Sequence, residues 1–336
     1  MNLAGPPALA LTSRNAGGSG PPHPCAVISV ATLTLNPAVD VSTSTATVVS
    51  ADKLRCAPER RDPGGGGVNV ARVVQRLGAE AFAVYPAGGA TGARLEALLA
   101  AEGLPGTCVS IEPDTRENFT VLETTTGREF RFVMPGPQAR PADLEACMAA
   151  ALSVDAALLV ASGGLPPGAP DHLYAVLAER ARYRGRRMAV DCSGNALRLA
   201  LEAGVHLAKP NLKELEQLAG KRLDTTARRL SAVQAIVNRG DAAIVALSLG
   251  AEGALLVTAN GAWRSPALPV QPRSSVGAGD SFMGGLVQGL ASGRPPCEAF
   301  RSAMAAGAAA LLSPGTELCH AADVDRLAPL VEIEAL

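Results

Sequence analysis

The densest group of chemistry-bearing residues is the stretch 274–286, SSVGAGDSFMGGL, in which a glycine-rich turn ends in a carboxylate. Met283, Leu286, Val287 and Leu290 follow the i, i+3, i+4, i+7 spacing of an amphipathic helix, so the turn sits at a helix N-terminus. There the backbone N–H groups of Gly277, Ala278 and Gly279 lack an intrahelical acceptor, and with the positive end of the helix dipole they form an anion site. Asp280 stands at its rim. Donors for charge building on a phosphate, beside an acceptor for the proton of an attacking hydroxyl, are what phosphoryl transfer requires. An ordinary capped helix is the alternative, because glycine-rich strand–helix turns are common. In this position Asp280 is expected to be a weak base, since the dipole favours its ionised form.

Other polar groups recur beside apolar runs. The β-rich run 26–35 ends at Asn36-Pro37-Ala38-Val39-Asp40, which breaks the strand and presents Asp40 just past its carboxyl end; a turn residue bonding its own backbone is the plainer reading. Lys53 and Arg55 are two apart, as on one face of an extended strand, and suggest a phosphate grip. Gly64 to Gly67 precede a helix carrying Val70, Val73, Val74 and Leu77, with Asn69 in its first turn. Four glycines allow backbone to meet a ligand, or serve as a linker; they match neither a dinucleotide fingerprint nor a Walker loop. Arg116 precedes the run 119–122 and Arg131 lies in the run 130–133, and the two runs read as a hairpin around Thr126-Gly127. With 41–61 this hairpin would form a small sheet beside the main domain, acting as a lid or merely as an insertion with solvated arginines. Asn211 and Glu214, three apart at the start of a helix over 213–218, could hold a hydrated Mg²⁺ through water, or form a capping box.

The elements that must position these residues alternate. Strand runs at 157–161, 188–191, 206–208 and 244–249 are separated by helical segments, which predicts an α/β fold with a doubly wound, mostly parallel sheet and right-handed crossovers. Asp40, Ser162-Gly163-Gly164, Asp191, Lys209-Pro210-Asn211 and Ser248-Leu249-Gly250 all follow the carboxyl end of an apolar run, the edge where such sheets bind ligands. The basic run Arg180, Arg182, Arg184, Arg186, Arg187 closes a helix before a strand and is expected to compensate the C-terminus of that helix. An alanine-rich helix over 304–312 permits close packing or the approach of a flat ligand such as adenine.

Bulk properties exclude several classes. The 336 residues carry Lys+Arg 30 against Asp+Glu 31, a net charge of -1, which advertises neither nucleic acid nor an anionic membrane surface. The seven cysteines are scattered without a CxxC pair or a histidine at metal-ligand spacing, as expected of free thiols in a reducing cytoplasm. No apolar run approaches the ~20 residues of a membrane span. Residues 1–24, rich in Gly, Pro and Ser and lacking a basic leader, read as a disordered extension, with 25–330 as the folded domain and 41–61 and 114–134 as lid insertions.

From about residue 26 to 330 the chain resembles the ribokinase-like (PfkB) family of ATP-dependent sugar kinases, through SVGAGDSFMGGL at its anion hole and catalytic aspartate and KPNLKE at its magnesium-associated Asn-x-x-Glu motif. TLTLNPAVD, KLR, GGGGVNVARV, RFVMPG and SGGLPPG resemble the phosphosugar branch, and the four-glycine form with KLRC and GGATG is most similar to its 6-phosphofructokinases of the minor type. The resemblance implies ATP-dependent phosphorylation of a ketohexose phosphate, fructose 6-phosphate first, with fructose 1-phosphate and tagatose 6-phosphate as alternatives, ahead of a kinase for an unphosphorylated sugar or nucleoside and of an inactive sugar- or nucleotide-binding regulator. By the same resemblance Asp40, Gly65, Gly66 and Asn69 would contact sugar hydroxyls, and Lys53, Arg55 and Arg116 the existing phosphate. Lys209, Asn211, Ser248, Gly250 and Gly253 would serve the nucleotide, and Asn211 and Glu214 Mg²⁺. Gly164 stands where relatives place a serine, and Ser313 and Glu317 replace residues of a monovalent-cation loop, which leaves potassium open. The unpaired edge of the lid sheet would be covered by a second copy, giving a homodimer joined through the lids.

Overall fold

The computed structural model describes residues 28–50 and 53–336; the extension expected over 1–24 lies outside the described residues. The chain opens with strand β1 (Ile28–Leu33) and leaves the main body for β2 (Ala38–Thr45) and β3 (Arg60–Gly64). It returns through helix α1 (Gly66–Arg76), β4 (Ala81–Ala87), α2 (Gly89–Ala101) and β5 (Gly106–Ser110), then goes out again for β6 (Arg116–Glu123) and β7 (Glu129–Phe132). Alternation follows: α3 (Pro141–Ser153), β8 (Ala156–Ser162), α4 (Leu173–Tyr183), β9 (Arg187–Asp191), α5 (Gly194–Ala203), β10 (Val205–Ala208), α6 (Leu212–Ala219), α7 (Thr226–Arg239) and β11 (Ala242–Ser248). The hairpin β12 (Ala254–Thr258) and β13 (Gly261–Ser265) precedes α8 (Ala278–Ala291), α9 (Pro296–Leu311), α10 (Ala321–Leu327) and the short β14 (Glu334–Ala335).

The larger sheet has the order β14-β13-β12-β11-β10-β9-β8-β1-β4-β5, parallel from β11 to β5 and antiparallel at the other edge. Adjacent residues of β1 divide between two cores: Val30 joins the one that contains residues of α1, α8 and α9, Ala31 and Leu33 the one that contains residues of α3, α4 and α5. A strand covered on both faces reads as a nearly continuous apolar run, which is why these strands were legible. The β12–β13 hairpin was not anticipated, although Asn260-Gly261 at its turn is a known hairpin signal. No helix among the described residues is long and apolar enough to cross a membrane.

The smaller sheet, β3-β2-β6-β7, places β2 parallel to β6, with Asp40 opposite Asn118 on β6 and Asp62 on β3. Asp40 is therefore inside a strand of the second sheet, not in the turn past β1. The expected strand carrying Lys53 and Arg55 is an exposed loop between β2 and β3, held alongside β2 by the Ala57 N–H to the Ser44 carbonyl at 2.9 Å and the Thr45 hydroxyl to the Arg55 carbonyl at 3.3 Å.

Helix α8 also differs from its sequence pattern. It is buried all round over residues 281–290 instead of amphipathic, because α1 packs on one side and α9 on the other. A Cβ on Gly284 would lie 2.4 Å from Val73 Cγ1, and one on Gly289 2.8 Å from the Ala299 Cα, so the alanines of α9 that face this seam serve helix packing. The arginine run compensates neighbouring helices: Arg182 donates to the Ala203 carbonyl at the end of α5 at 2.6 Å, Arg184 to the Leu152 carbonyl at the end of α3 at 3.0 Å, and Arg186 to the Val154 carbonyl. Overpacking of the α8–α9 seam by Gly289→Ala is expected to cost about 1–3 kcal/mol, read as a lower urea midpoint with an unchanged slope.

Candidate active site

The carboxyl edge of the larger sheet and one face of the smaller sheet enclose a cavity of about 310 Å³. Its floor is the start of α8. Gly277 caps the helix with φ 75, and a Cβ there would also lie 2.6 Å from Leu318 Cδ2, so backbone and packing both require glycine. Asp280, in the first turn, accepts a hydrogen bond at 2.8 Å from Asn69 Nδ2 on α1. The glycine run is not a flexible linker: a Cβ on Gly66 would stand 2.4 Å from Ser162 Oγ. Ser162 is buried, lines the cavity, and its hydroxyl has no partner among the described residues.

The smaller sheet supplies the roof. Arg116, Asn118 and Thr120 alternate along β6 and line the cavity together with Asp40 and Arg131. Asn118 donates to Asp40 Oδ1 at 2.8 Å. Arg116 is largely occupied, donating to the Met134 carbonyl at 2.6 Å, the Asn36 carbonyl at 2.8 Å and the Pro37 carbonyl at 3.4 Å, which clasps the lid to the body. The Arg131 guanidinium makes no hydrogen bond or ion pair among the described residues, and it lines the cavity.

Of the candidates from sequence, Asp40, Gly65, Gly66, Asn69, Arg116, Glu214, Gly277 and Asp280 line this cavity. Ala278 and Gly279 continue the helix start on its flank, where a Cβ on Gly279 would be 3.8 Å from Lys209 Nζ. Lys53 and Arg55 are not in the lining. Nor are Lys209, Asn211, Ser248, Gly250 and Gly253, which gather beyond Asp280 at the ends of β10 and β11, where Asn211 and Ser248 are bridged and Ser248 N–H donates to the Pro210 carbonyl at 3.0 Å. Arg131, Ser162 and Asp191, which the sequence places only in the hairpin or at strand ends, and Asn118, which it does not single out, also line the cavity. The alternation of polar residues in Arg-Glu-Asn-Phe-Thr over 116–120 is the signal that could have marked Asn118.

Asn211 and Glu214 form the capping box: Glu214 N–H donates to Asn211 Oδ1 at 3.0 Å, and Asn211 N–H to Glu214 Oε2 at 2.9 Å. No cluster of three or more metal-ligating side chains occurs among the described residues. Glu214 Oε1 has no partner among them, a sparse donor set that fits only an ion keeping most of its water shell. In the loop where Ser313 and Glu317 depart from the family's monovalent-cation pattern, Glu317 is engaged by Arg60 at 2.7 Å and by His320 Nε2 at 2.9 Å.

Electrostatics corrects the expectation for Asp280. Burial, and then the charge of Asp191, push its carboxyl up to about 6, while the Asn69 hydrogen bond and Lys209 pull the other way. Although part of the side chain stays open to the cleft, desolvation and a like charge outweigh the helix dipole. Lys209 Nζ lies 3.1 Å from Asp191 Oδ1, and against the downward push of burial this partner holds the lysine above its ordinary value. Burial likewise raises Asp40, against the pull of Asn118 and Arg116.

A helix start with a raised aspartate, a glycine loop and a cationic lid define a kinase site, and the family model for pfkB family carbohydrate kinases matches residues 33–322: the chain belongs to that family. The ATP-dependent 6-phosphofructokinase isozyme 2 of Mycobacterium tuberculosis is 42% identical over 299 residues, covering 88% of each chain. The 1-phosphofructokinase of Rhodobacter capsulatus is 36% identical over 316 residues, covering 92% of this chain and 98% of its own. Among solved structures, phosphofructokinase-2 from Escherichia coli in complex with potassium superposes with a TM-score of 0.87 at 40% identity, covering 90% of this chain and 99% of that one.

Because the Asp280 carboxyl is raised from 3.8 to about 6, the folded state loses stability as the pH rises through this window. Asp280→Asn is therefore expected to stabilise the protein by roughly 2 kcal/mol at pH 8. That gain should shrink as the pH falls from about 6 to below 4, in urea denaturation followed at several pH values.

Proposed function

We infer that the chain is an ATP-dependent 6-phosphofructokinase, transferring the γ-phosphoryl of ATP to fructose 6-phosphate to give fructose 1,6-bisphosphate. The observation that carries this reading is one cavity holding Asp280 at its floor and Arg116 and Arg131 at its roof. An unphosphorylated sugar offers no reason to gather cations opposite the acceptor carboxylate, whereas a phosphosugar bridges the two. The family and the named relatives support the same substrate class.

In this reading Arg131, with Arg116, holds the existing phosphate, and Asp40, Asn69, Ser162 and the backbone of Gly65 and Gly66 hold the sugar hydroxyls. Ser162 then offers a hydroxyl where Gly164 cannot. Lys53 and Arg55, on the outer loop of the lid, draw an anionic substrate towards the cleft. As the sugar oxygen forms its bond to the γ-phosphorus, its proton passes to Asp280, the bond to the leaving ADP oxygen breaks, and the 277–279 amides face the charge on the phosphoryl group. Lys209, Asn211, Ser248, Gly250 and Gly253 are assigned to the nucleotide. Glu214, with Asn211 behind it, would hold Mg²⁺ through its waters, and the ion would neutralise ATP oxygens.

The lid also carries the exposed apolar side chains Val49, Leu54, Phe119, Phe132, Val133 and Met134. We assign this surface to a second copy, as a homodimer. The free cysteines suit a reducing cytoplasm.

ADP release should be fastest with fructose 6-phosphate among it, fructose 1-phosphate, tagatose 6-phosphate and unphosphorylated fructose; preference for fructose 1-phosphate would move the assignment to the second named relative. Replacing potassium by sodium in the same assay tests for a monovalent-cation requirement. With a base titrating at about 6, kcat/KM should rise tenfold per pH unit below that value and level off above it. Asp280→Asn should lower kcat by about 10²–10⁴, whereas Arg131→Ala should raise KM for the phosphosugar about 10–100-fold with kcat little changed. Light scattering should report a dimer, and Phe132→Asp a monomer.

A further inference from the structure

Two residues outside the cavity lining are placed against local rules. Arg72 sits on α1 among Val70, Val73 and Val74, with its side chain 0% exposed. Glu102 is the C-cap residue of α2, at the negative end of that helix dipole. A buried guanidinium and a carboxylate at a helix C-terminus each cost stability unless something compensates, and such departures from local preference concentrate at functional sites.

The compensation leads to the reacting group. Arg72 Nε and Nη2 grip Glu102 through contacts of 2.9 and 2.5 Å, and Nη1 donates to the Pro63 carbonyl at 2.8 Å and to Asn69 Oδ1 at 3.3 Å. Asn69 Nδ2 in turn donates to Asp280 Oδ2 at 2.8 Å. The amide of Asn69 thus lies between a guanidinium that can only donate and a carboxylate that, when ionised, can only accept. Only one of its two orientations satisfies both neighbours.

We propose that Arg72 and Glu102 are positioning residues for phosphoryl transfer, acting through Asn69 to hold Asp280 Oδ2 and leave Oδ1 for the substrate hydroxyl. Among the described residues Oδ1 has no hydrogen-bond partner, consistent with that division of labour. The arginine matters most after the proton arrives. A neutral carboxyl can donate, and an unrestrained Asn69 amide could then turn over and accept from it; Arg72, by occupying Asn69 Oδ1, keeps Asn69 a donor throughout the cycle. Lysine could not reproduce this, because one ammonium cannot span Glu102, Pro63 and Asn69 as the planar fork does.

The inference rests on the reading of Asp280 as proton acceptor, so the experiment first measures ADP release by the wild type and by Asp280→Asn. Absence of wild-type turnover with every phosphosugar, or full turnover in Asp280→Asn, would remove that reading and this inference with it. Given that activity, Arg72→Met is expected to lower kcat about 30–100-fold with KM for ATP within about threefold, and Arg72→Lys to recover little. A merely structural role is separated by a double-mutant cycle: in an Asn69→Ala background, Arg72→Met should lower kcat by no more than about threefold. The same loss in both backgrounds, or wild-type kcat in a folded Arg72→Met, overturns the inference and leaves the Asp280 assignment standing. If Arg72→Met shows no cooperative thermal transition, Glu102→Gln decides: a loss of about fivefold in kcat that vanishes in the Asn69→Ala background supports the relay, and any other result overturns it.

Discussion

The hydrogen bond between Asn69 and Asp280 joins helices 211 residues apart in the chain, and the architecture of the site depends on it. It exists because α8 lies flush against α1, and that contact requires glycine at 284, where any side chain would strike Val73. The packing therefore holds this bond in place. Moving either helix by the width of a methyl group would break the bond, leaving a buried amide and a buried carboxylate without their shared partner. A glycine-rich helix is poor by propensity, and burial on all sides between α1 and α9 makes it stable here.

Around this contact, competing electrostatic effects set the protonation of Asp280. A helix start favours the ionised form of Asp280, but burial and the neighbouring Asp191 oppose it more strongly. Lys209 moderates both carboxylates, being ion-paired to Asp191 and close enough to Asp280 to lower it. The result is a carboxyl near 6, ionised at neutral pH and yet a better proton acceptor than a solvated aspartate. The lid adds the complementary charge. Arg116 spends its donors on backbone carbonyls and so fixes the roof, while Arg131 keeps its donors open. Two arginines with similar sequence signals are thus held differently, decided by which carbonyls lie within reach.

Much of the architecture was legible because buried parallel strands and their turns leave strong marks. The apolar runs at 157–161, 188–191, 206–208 and 244–249 correspond to β8, β9, β10 and β11, and the motifs after their carboxyl ends do gather along one edge. The helix start at Gly277 was readable from Gly-Ala-Gly-Asp. Less legible were elements whose neighbours override local pattern. The i, i+3, i+4, i+7 spacing of α8 suggested one buried face, and a second helix covers the other. Lys53 and Arg55 are spaced like strand neighbours, yet they lie on a loop because β2 ends at Thr45 and β3 begins only at Arg60. Asp40 looked like a turn residue because Asn36-Pro37 precedes it, and pairing with Arg116–Glu123 draws it into a strand.

By itself, then, the sequence determined the residue types available for chemistry and the elements that carry them: the glycine turn at a helix start, the aspartate, the glycine loop and the strand ends. These follow from backbone sterics, helix-terminus donors and apolar periodicity, all local properties. Only the tertiary structure decided which of them act together. It selected Arg131 and Ser162 for the cavity, bound Asn211 and Glu214 into a capping box, and set the basicity of Asp280 against its helix. It also brought Glu102 and Arg72 to bear on that carboxylate through Asn69. The physical reason is that desolvation, like-charge repulsion and the orientation of a buried amide depend on groups remote in the chain, whose proximity only the packing of α1, α2 and α8 establishes.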